Sequence, residues 1–256
     1  MEQTLNKSKL SVREISKKIA KNMIVKHHYS HKWTMCRYAL GIFYKTDNEH
    51  TFFDEQEEKL IGVAVYGYPV GRRAPKSISP ILKEEEVLEL TRLFIFDEYG
   101  KNTESLTLSK TFQWLKEYAP EIKALISYSD PEQKHLGTIY QATNWIYQGN
   151  SIRHMGNYAI ALEEGGDFMH SRNVTARFGS HNVEHLKKKI GHTFWRKEEP
   201  EKHRYVYLLC GKKEKKQIMN TLIHEPKPYP KDPDNYIVKI EKIEVEQTKE
   251  KNNFYE

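Results

Sequence analysis

The feature that most constrains the fold is the segment from Lys123 to Gly149, in which a strand pattern leads through a polar turn into a helix pattern. The first part alternates between two sides, as a strand does, and the second repeats apolar residues at helical spacing. Asp130 lies at the junction, where α/β folds usually place their functional groups. The residues predicted on the core-facing stripe of the helix are Leu136, Ile139, Thr143 and Ile146.

Asp130 also has a purely structural interpretation. Followed by Pro131, and with Gln133 at the third helical position, it makes a good helix N-cap. On these residues alone, the cap is the favoured interpretation.

Composition indicates a soluble, cytoplasmic protein. The net charge of +6 and a pI near 9.0 suggest a polyanionic partner. Cys36 and Cys210 form no CxxC pair, so we expect two reduced thiols. We find neither an apolar run long enough for a membrane span nor a signal-peptide core at the start of the chain.

The amino-terminal part predicts a helix followed by a histidine-rich turn. Residues 11–26 have an amphipathic pattern with Ile15, Ile19 and Met23 on one stripe, and a capping box formed by Ser11 and Glu14. The HHYSH sequence at 27–31 can supply metal ligands or a proton-transfer group, or form an ordinary polar loop.

Three strands are predicted next. Residues 36–47 and 59–71 form a hairpin, and residues 86–97 form a buried strand that contains Arg92, which needs a partner such as Glu89. The loop between them carries Arg72 and Arg73, which hold phosphates or are simply solvated.

The carboxy-terminal part predicts a basic insertion and an extension. Residues 165–203 combine short helices, cations and the aromatic residues Phe194 and Trp195, a composition typical of a surface that handles DNA. A solvated helical cap with a core of aromatics is the alternative. Residues 213–256 form a Lys/Pro-rich extension with one candidate edge strand. The candidate DNA-binding residues are Arg72, Arg73, Arg172, Arg177, Lys187 and Lys188.

Four segments together resemble the phage Mom family, adenine-modifying enzymes built on the GNAT acetyltransferase fold. They are HHYSH at 27–31, LIGVAVYGYPVG at 60–71, LELTRLFIFD at 88–97 and SYSDPEQKHLGTIYQATNW at 127–145. The resemblance implies an α/β fold: a GNAT-like mixed central sheet flanked by helices, with residues 1–212 as the catalytic domain and the basic insertion before the last core strand.

The resemblance also implies an activity and its residues. The family transfers a carbamoylmethyl (glycinamide-like) group to N6 of adenine in double-stranded phage DNA, which protects that DNA from host restriction. Asp130, Tyr140, Arg92 and Tyr29 are the implied catalytic residues. Iron is the implied metal, with His28, Tyr29, Asp130 and Tyr140 as its ligands.

The shared-metal hypothesis makes a geometric demand on the turn. A helix beginning at Pro131 would separate Asp130 from Tyr140 by about 15 Å along its axis. Joint ligation therefore requires residues 131–135 to loop and the helix to begin near Leu136. We expect the capping and metal-binding interpretations to exclude each other.

The phosphate-binding loop of the GNAT fold is only partly preserved. Gly100, Lys101, Asn102 and Thr103 occupy its place as the candidate cofactor-binding residues, with one glycine and with two acidic residues, Asp97 and Glu98, before it. This pattern disfavours acetyl-CoA, and the sequence names no other donor.

Two other functions stay open: an ordinary N-acyltransferase acting on a small amine or protein, and a non-catalytic, DNA-binding anti-restriction protein. A homodimer is also left open.

Overall fold

The computed structural model describes residues 5–46, 57–71, 73–100, 102–151, 158–199, 201–231 and 238–245. Its strands are β1 (Leu10–Glu14), β2 (Tyr38–Thr46), β3 (Glu57–Gly67), β4 (Val87–Ile95), β5 (Ala124–Ser129), β6 (Ile146–Asn150), β7 (Tyr158–Ala161), β8 (Phe194–Glu198), β9 (His203–Leu208) and β10 (Ile240–Ile243). Its α-helices are α1 (Lys17–His27), α2 (Ala74–Ile78), α3 (Thr103–Tyr118), α4 (Thr138–Ala142), α5 (Ser171–Phe178), α6 (Val183–Ile190) and α7 (Lys212–Asn220).

The chain divides into two compact units. The larger unit comprises Met1–Ser129, Leu136–Asn150 and His203–Lys231, and the smaller unit comprises Asp130–His135, Ser151–Lys202 and Asp232–Glu256. Residues 213–231 of the predicted extension therefore belong to the larger unit, and the rest of that extension belongs to the smaller one.

The larger unit is built on a seven-stranded sheet with the order β1-β2-β3-β4-β5-β9-β6. Only β4 and β5 pair in parallel, and their ladder ends at Glu89 and Ile126. The other neighbouring strands are antiparallel. The predicted mixed central sheet flanked by helices is confirmed, and so is the hairpin formed by β2 and β3.

Helices cover both faces of this sheet because its strands alternate between two sets of apolar side chains. In β5, Leu125 packs with Phe112 of α3 on one face, while Ile126 packs with Ile78 of α2 on the other. In β2, Ala39 packs with Ile24 of α1. Buried apolar surface of this extent is the main term that stabilises such a sheet.

The smaller unit has its own core. A three-stranded antiparallel sheet, β10-β8-β7, is accompanied by α5 and α6. Its buried apolar residues are Ile160, Val174, Leu186 and Phe194. The predicted edge strand near the carboxyl end is confirmed as β10.

The predicted amino-terminal helix begins too early. Residues 10–14 form β1, and α1 begins after Ser16, whose side chain accepts a hydrogen bond from the backbone N–H of Ile19. The capping box of Ser11 and Glu14 is therefore wrong. The buried residues of α1 are Ala20 and Ile24, which each lie one position after a residue of the predicted stripe.

The helix predicted after β5 is much shorter than expected. A 3₁₀ turn spans Pro131–Gln133, Lys134 and Gly137 both have positive φ, and α4 covers only Thr138–Ala142. Ile146, expected on the helix, lies in β6. The left-handed backbone at Lys134 interrupts any continuous helix.

Within the described ranges, no helix combines the length and apolar character that crossing a bilayer requires.

Candidate functional site

Tyr140 lies inside the larger unit and is held by a serine of the neighbouring strand. Its hydroxyl is 2.8 Å from Oγ of Ser127, and Ser127 in turn donates to the backbone carbonyl of Leu90 at 2.9 Å. Because the serine proton is used there, the phenol is the donor of the pair. Burial raises the pKa of Tyr140 to about 12, against the opposing effect of the Ser127 hydrogen bond. Tyr140 is therefore a neutral phenol near pH 7.

The larger unit brings three of the predicted site residues into one electrostatic neighbourhood. Burial lowers the pKa of the Arg92 guanidinium, while the neighbouring Tyr29 and Glu89 oppose that change. The same Tyr29 and Glu89 add to the increase in the pKa of Tyr140. Tyr29, in a loop, is thus close enough to influence both Arg92 of β4 and Tyr140 of α4.

The Arg92 side chain is fixed by backbone carbonyl groups. Nη1 donates to Thr91 O at 2.6 Å, and Nε donates to Lys32 O at 3.3 Å. Lys32 lies just after the histidine-rich turn, so Arg92 ties that turn to β4. These two carbonyl groups supply some of the hydrogen-bond acceptors that an arginine in an apolar strand requires.

His28 and Tyr29 are adjacent but differ in exposure. The His28 side chain is buried, whereas Tyr29 is 62% exposed, and their ring centroids are 4.3 Å apart. Nδ1 of His28 accepts the backbone N–H of Ser30 at 3.1 Å. In a neutral ring the proton then lies on Nε2, which can donate it but has no lone pair for a metal while it keeps that proton.

Asp130, in the smaller unit, is a cap and an ion-pair partner together. Oδ1 accepts the backbone N–H of Glu132 at 3.0 Å, and Oδ2 lies 3.0 Å from Nζ of Lys202. The expectation that the capping and metal-binding interpretations exclude each other assumes that the cap starts a helix at Pro131. That premise is wrong, because Asp130 caps a short 3₁₀ turn and α4 begins only at Thr138.

A cavity of about 630 Å³ lies in the larger unit at the start of α3. Three of the predicted cofactor-binding residues line it, namely Gly100, Asn102 and Thr103, and the fourth, Lys101, lies outside the described residues. Its walls also carry carboxylates, from Asp97, Glu98 and Glu104.

These carboxylates test the fit to coenzyme A. The first turn of α3 favours an anion, but three acidic side chains oppose one, and none of the described lining residues is a lysine or an arginine. The described lining therefore does not fit a pyrophosphate, although its volume suits a small-molecule ligand.

The predicted iron ligands are nitrogen and oxygen donors. Among the described residues, no group of three or more His, Cys, Asp and Glu side chains is arranged to hold a metal. A metal in the predicted set would therefore depend on the phenols of Tyr29 and Tyr140. Imidazole, phenolate and carboxylate together are a donor set that suits iron.

The predicted DNA-binding residues are divided between the units. Arg73 is exposed in the larger unit, next to α2, and Arg177 and Lys188 are exposed in the smaller one. Lys187 pairs with Glu184 at 3.1 Å. Arg72 lies outside the described residues, and the side chain of Arg172 is not described.

Phe194 is not a stacking residue for DNA bases. It is completely buried in the core of the smaller unit. The alternative interpretation, in which this aromatic belongs to a core, is correct at this position. Trp195, its neighbour in β8, is half-buried.

Sequence reasoning missed two residues that hold candidate site groups. Ser127 positions the Tyr140 hydroxyl, and Lys202 pairs with Asp130. A polar residue inside an otherwise apolar strand could have marked Ser127. No pattern marks Lys202, because it is far from Asp130 in sequence.

Comparison with known proteins agrees with the family resemblance of the four sequence segments. The model of the Mom protein family matches residues 9–231. The methylcarbamoylase Mom of Escherichia phage Mu is 24% identical over 228 residues, covering 87% of this chain and 84% of the relative.

Two similar solved structures are acetyltransferases. Spermidine N-acetyltransferase from Vibrio cholerae, in complex with CoA and spermine, has a TM-score of 0.41 and 9% identity over 79% of this chain and 96% of its own. A GNAT-family acetyltransferase from Bacillus anthracis has a TM-score of 0.37 and 10% identity over 81% and 99%. Because the family model spans most of the sequence, the chain belongs to the Mom protein family.

Proposed function

We propose that this protein is a DNA-modifying transferase that adds a carbamoylmethyl group to N6 of adenine in phage DNA and thereby protects it from host restriction. Family membership and the name of the phage Mu relative, a methylcarbamoylase, support a modification enzyme of the transferase class. The adenine target and the protective role are our extension of that support.

The observation that carries the proposal is the neighbourhood of Tyr29, Arg92 and Tyr140. An exposed phenol, a guanidinium and a buried neutral phenol come from three separate elements of one unit. The exposed ring can stack on a base that has left the duplex, which a reaction at N6 requires. The neutral Tyr140 can donate a proton to a leaving or accepting atom.

Iron extends the proposal. His28, Tyr29 and Tyr140 of the larger unit would supply an imidazole and two phenols to the metal, and iron bound there would supply Lewis-acid or redox chemistry. Binding of the ion by Nε2 of His28 would require that nitrogen to lose its proton, since Nδ1 accepts from Ser30. Elemental analysis of the purified protein and of a His28→Ala variant tests this part independently of activity.

The test of the function is the nucleoside content of DNA from bacteria that express the protein. The wild type should yield a deoxyadenosine that is heavier by one carbamoylmethyl group in mass spectrometry. Tyr140→Phe should abolish this product, because the change removes the hydroxyl that we propose as the proton donor and keeps the ring. Tyr66→Phe is the matched control, since Tyr66 is also a buried phenol with one hydroxyl partner, Thr111 at 2.7 Å. A wild type that produces no new nucleoside contradicts the proposal.

The cavity at α3 favours a second candidate, an ordinary N-acyltransferase with a small-molecule donor. Its volume and its place at the helix start support a donor site, whereas its three carboxylates oppose a pyrophosphate. Calorimetry with acetyl-CoA distinguishes the candidates: tight binding together with acetylation of a small amine, and no DNA product, would favour the second.

A further inference from the structure

Arg204 of β9 is a buried cation that the proposed reaction does not use. It is 7% exposed, and it lies opposite Tyr128 in the register of β9 and β5. Nη2 donates to Oγ of Ser77 at 2.9 Å, and Nε is buried with no hydrogen-bond partner among the described residues. A guanidinium has five N–H donors, so this one is poorly satisfied.

The groups around Arg204 do not neutralise it. The described residues place no carboxylate in ion-pair contact with the guanidinium. Burial lowers the pKa of Arg204, and the neighbour that opposes this change is the phenol of Tyr128, whose own pKa is raised by burial. Tyr128 is therefore neutral near pH 7. Nearby, burial lowers the pKa of His224, with Arg204 and Lys227 adding to the effect. Glu89, the carboxylate that adds to the increase in the pKa of Tyr128, is not in ion-pair contact with Arg204.

A second arginine lies one helical turn from the contact. The backbone N–H of Ser77 donates to the carbonyl of Arg73 at 2.9 Å, so Arg73, the residue before α2, lies one helical turn from Ser77. The Ser77 hydroxyl is thus hydrogen-bonded to the buried Arg204 guanidinium, and exposed Arg73 lies one helical turn before Ser77. The Ser77 hydroxyl donates to Ala74 O at 2.7 Å and accepts from Arg204.

An uncompensated buried charge is costly, and it persists in proteins when it has a role. We propose that Arg204 and Arg73 form a binding site for a single phosphoryl oxyanion, with Ser77 positioning the Arg204 guanidinium. The planar guanidinium, with unused N–H donors, suits the paired oxygens of a phosphate. Because so little of Arg204 is exposed, the site takes one phosphoryl group and not a broad face of nucleic acid.

The phosphoryl group has two sources with the same chemistry. One is a phosphodiester of the DNA strand that carries the target base, which rests on the proposed function. The other is a phosphate on a small ligand. The experiment has one arm for each.

The first arm measures the thermal unfolding midpoint in inorganic phosphate and in chloride at equal ionic strength. Phosphate stabilises many proteins without binding a site, so the comparison is with Arg204→Met, which keeps the length and removes the charge. The wild type should gain more from phosphate than the variant. In chloride the variant should be at least as stable as the wild type, because an unpaired buried charge has been replaced by an apolar chain.

The second arm measures duplex DNA affinity as salt increases. Arg204→Met should weaken binding and reduce the slope of log K against log salt by about 1. Arg13→Met is the matched control: Arg13 lies on β1, the far edge strand of the same sheet, and pairs with Glu58 of β3. A phosphate effect without a DNA effect supports the oxyanion site and assigns it to a small ligand.

Two results overturn the proposal: equal gains from phosphate in the wild type and Arg204→Met, or a large loss of stability of that variant in chloride, which would make the guanidinium a structural element. A wild type that binds no DNA but responds to phosphate through Arg204 would contradict the proposed function and leave this site intact.

Discussion

The hydroxyl of Tyr140 lies 2.8 Å from Oγ of Ser127, and this contact joins α4 to the strand β5 that precedes the turn. The proton of the Tyr140 hydroxyl already has Ser127 as its acceptor and needs no water molecule. A metal-bound phenolate at Tyr140 would have to give up the Ser127 contact, whereas a proton donor would keep it in the resting state.

This contact predicts a stability difference that depends on pH. Tyr140→Phe should cost about 1 kcal/mol near pH 8, the value of one buried hydrogen bond. The pKa of Tyr140 is raised from 10.0 to about 12 in the folded protein. Its contribution is therefore complete below the unfolded pKa and is lost as the pH rises toward the folded pKa, because only the unfolded chain ionises in that interval. The free energy of unfolding in urea should differ less between the wild type and Tyr140→Phe at pH 11 than at pH 8. An equal difference at both pH values would contradict a buried neutral phenol.

Asp130 provides a test that separates chemistry from stability. Asn is a good N-cap, so Asp130→Asn should keep the 3₁₀ turn and change the free energy of unfolding by less than about 1 kcal/mol, since the ion pair with Lys202 is partly exposed. Modification of DNA should nevertheless be lost. Lys202→Met breaks the same ion pair and should retain activity. Equal loss in both variants would make the ion pair, and not the carboxylate, the important feature.

Gly137, before α4, predicts a steric effect on the site. Its φ is +73°, and a Cβ there would lie 2.6 Å from the ring of Tyr205 and 2.8 Å from that of Tyr140. Gly137→Ala should therefore cost about 1 to 3 kcal/mol and displace Tyr140, with a fall in modification. Gly165→Ala is the control, because Gly165 has φ +71° but no atom within 4 Å of the added Cβ. If both variants unfold alike, backbone strain alone explains the result.

Phe194 should matter for folding and not for base stacking. Phe194→Ala removes a fully buried ring from the smaller unit and should destabilise that unit by about 3 to 5 kcal/mol. Limited proteolysis should then cut the smaller unit before the larger one. Phe168→Ala, a half-buried site, should have a smaller effect. A variant as resistant as the wild type but defective in DNA binding would restore the stacking hypothesis.

The exposed cations of the smaller unit predict a salt-dependent DNA interaction. Arg177→Met and Lys188→Met should each reduce the salt slope of DNA binding by about 1 and weaken binding to all sequences alike. Lys242→Met is the comparison, because Lys242 is exposed but already pairs with Glu244 at 3.1 Å. Slopes measured by fluorescence anisotropy that are equal in all three variants would place the DNA elsewhere.

Sequence patterns predicted the central strands well because these strands are short apolar runs that end in polar or glycine-containing segments. The hairpin of β2 and β3, the strand β4 and the strand β5 are largely buried as such runs predict. The boundaries that failed depend on single backbone conformations. Lys134 adopts φ +56°, a value that its side chain does not signal, and this ends the expected helix after one short turn.

The family resemblance selected Tyr29, Arg92 and Tyr140 as site residues, and this stays a prediction. In the larger unit, Tyr29 lies close enough to influence both of the others. Their immediate partners, such as Ser127 for Tyr140, depend on side-chain packing that pairs distant residues. Arg204 was not identified at all, because an arginine in the strand RYVYLLC resembles any charged residue at a strand start.

The strand β10 has a consequence for the synthesis of the protein. The smaller unit pairs β10 with β8, so its sheet joins residues 194–197 to residues 240–243. A ribosome exposes Phe194 well before Ile243, and this edge of β8 has no partner strand in the meantime. The smaller unit therefore cannot complete its sheet until residues 240–243 have been translated, and a stop just after Lys231 would release a chain with an unpaired β8 edge.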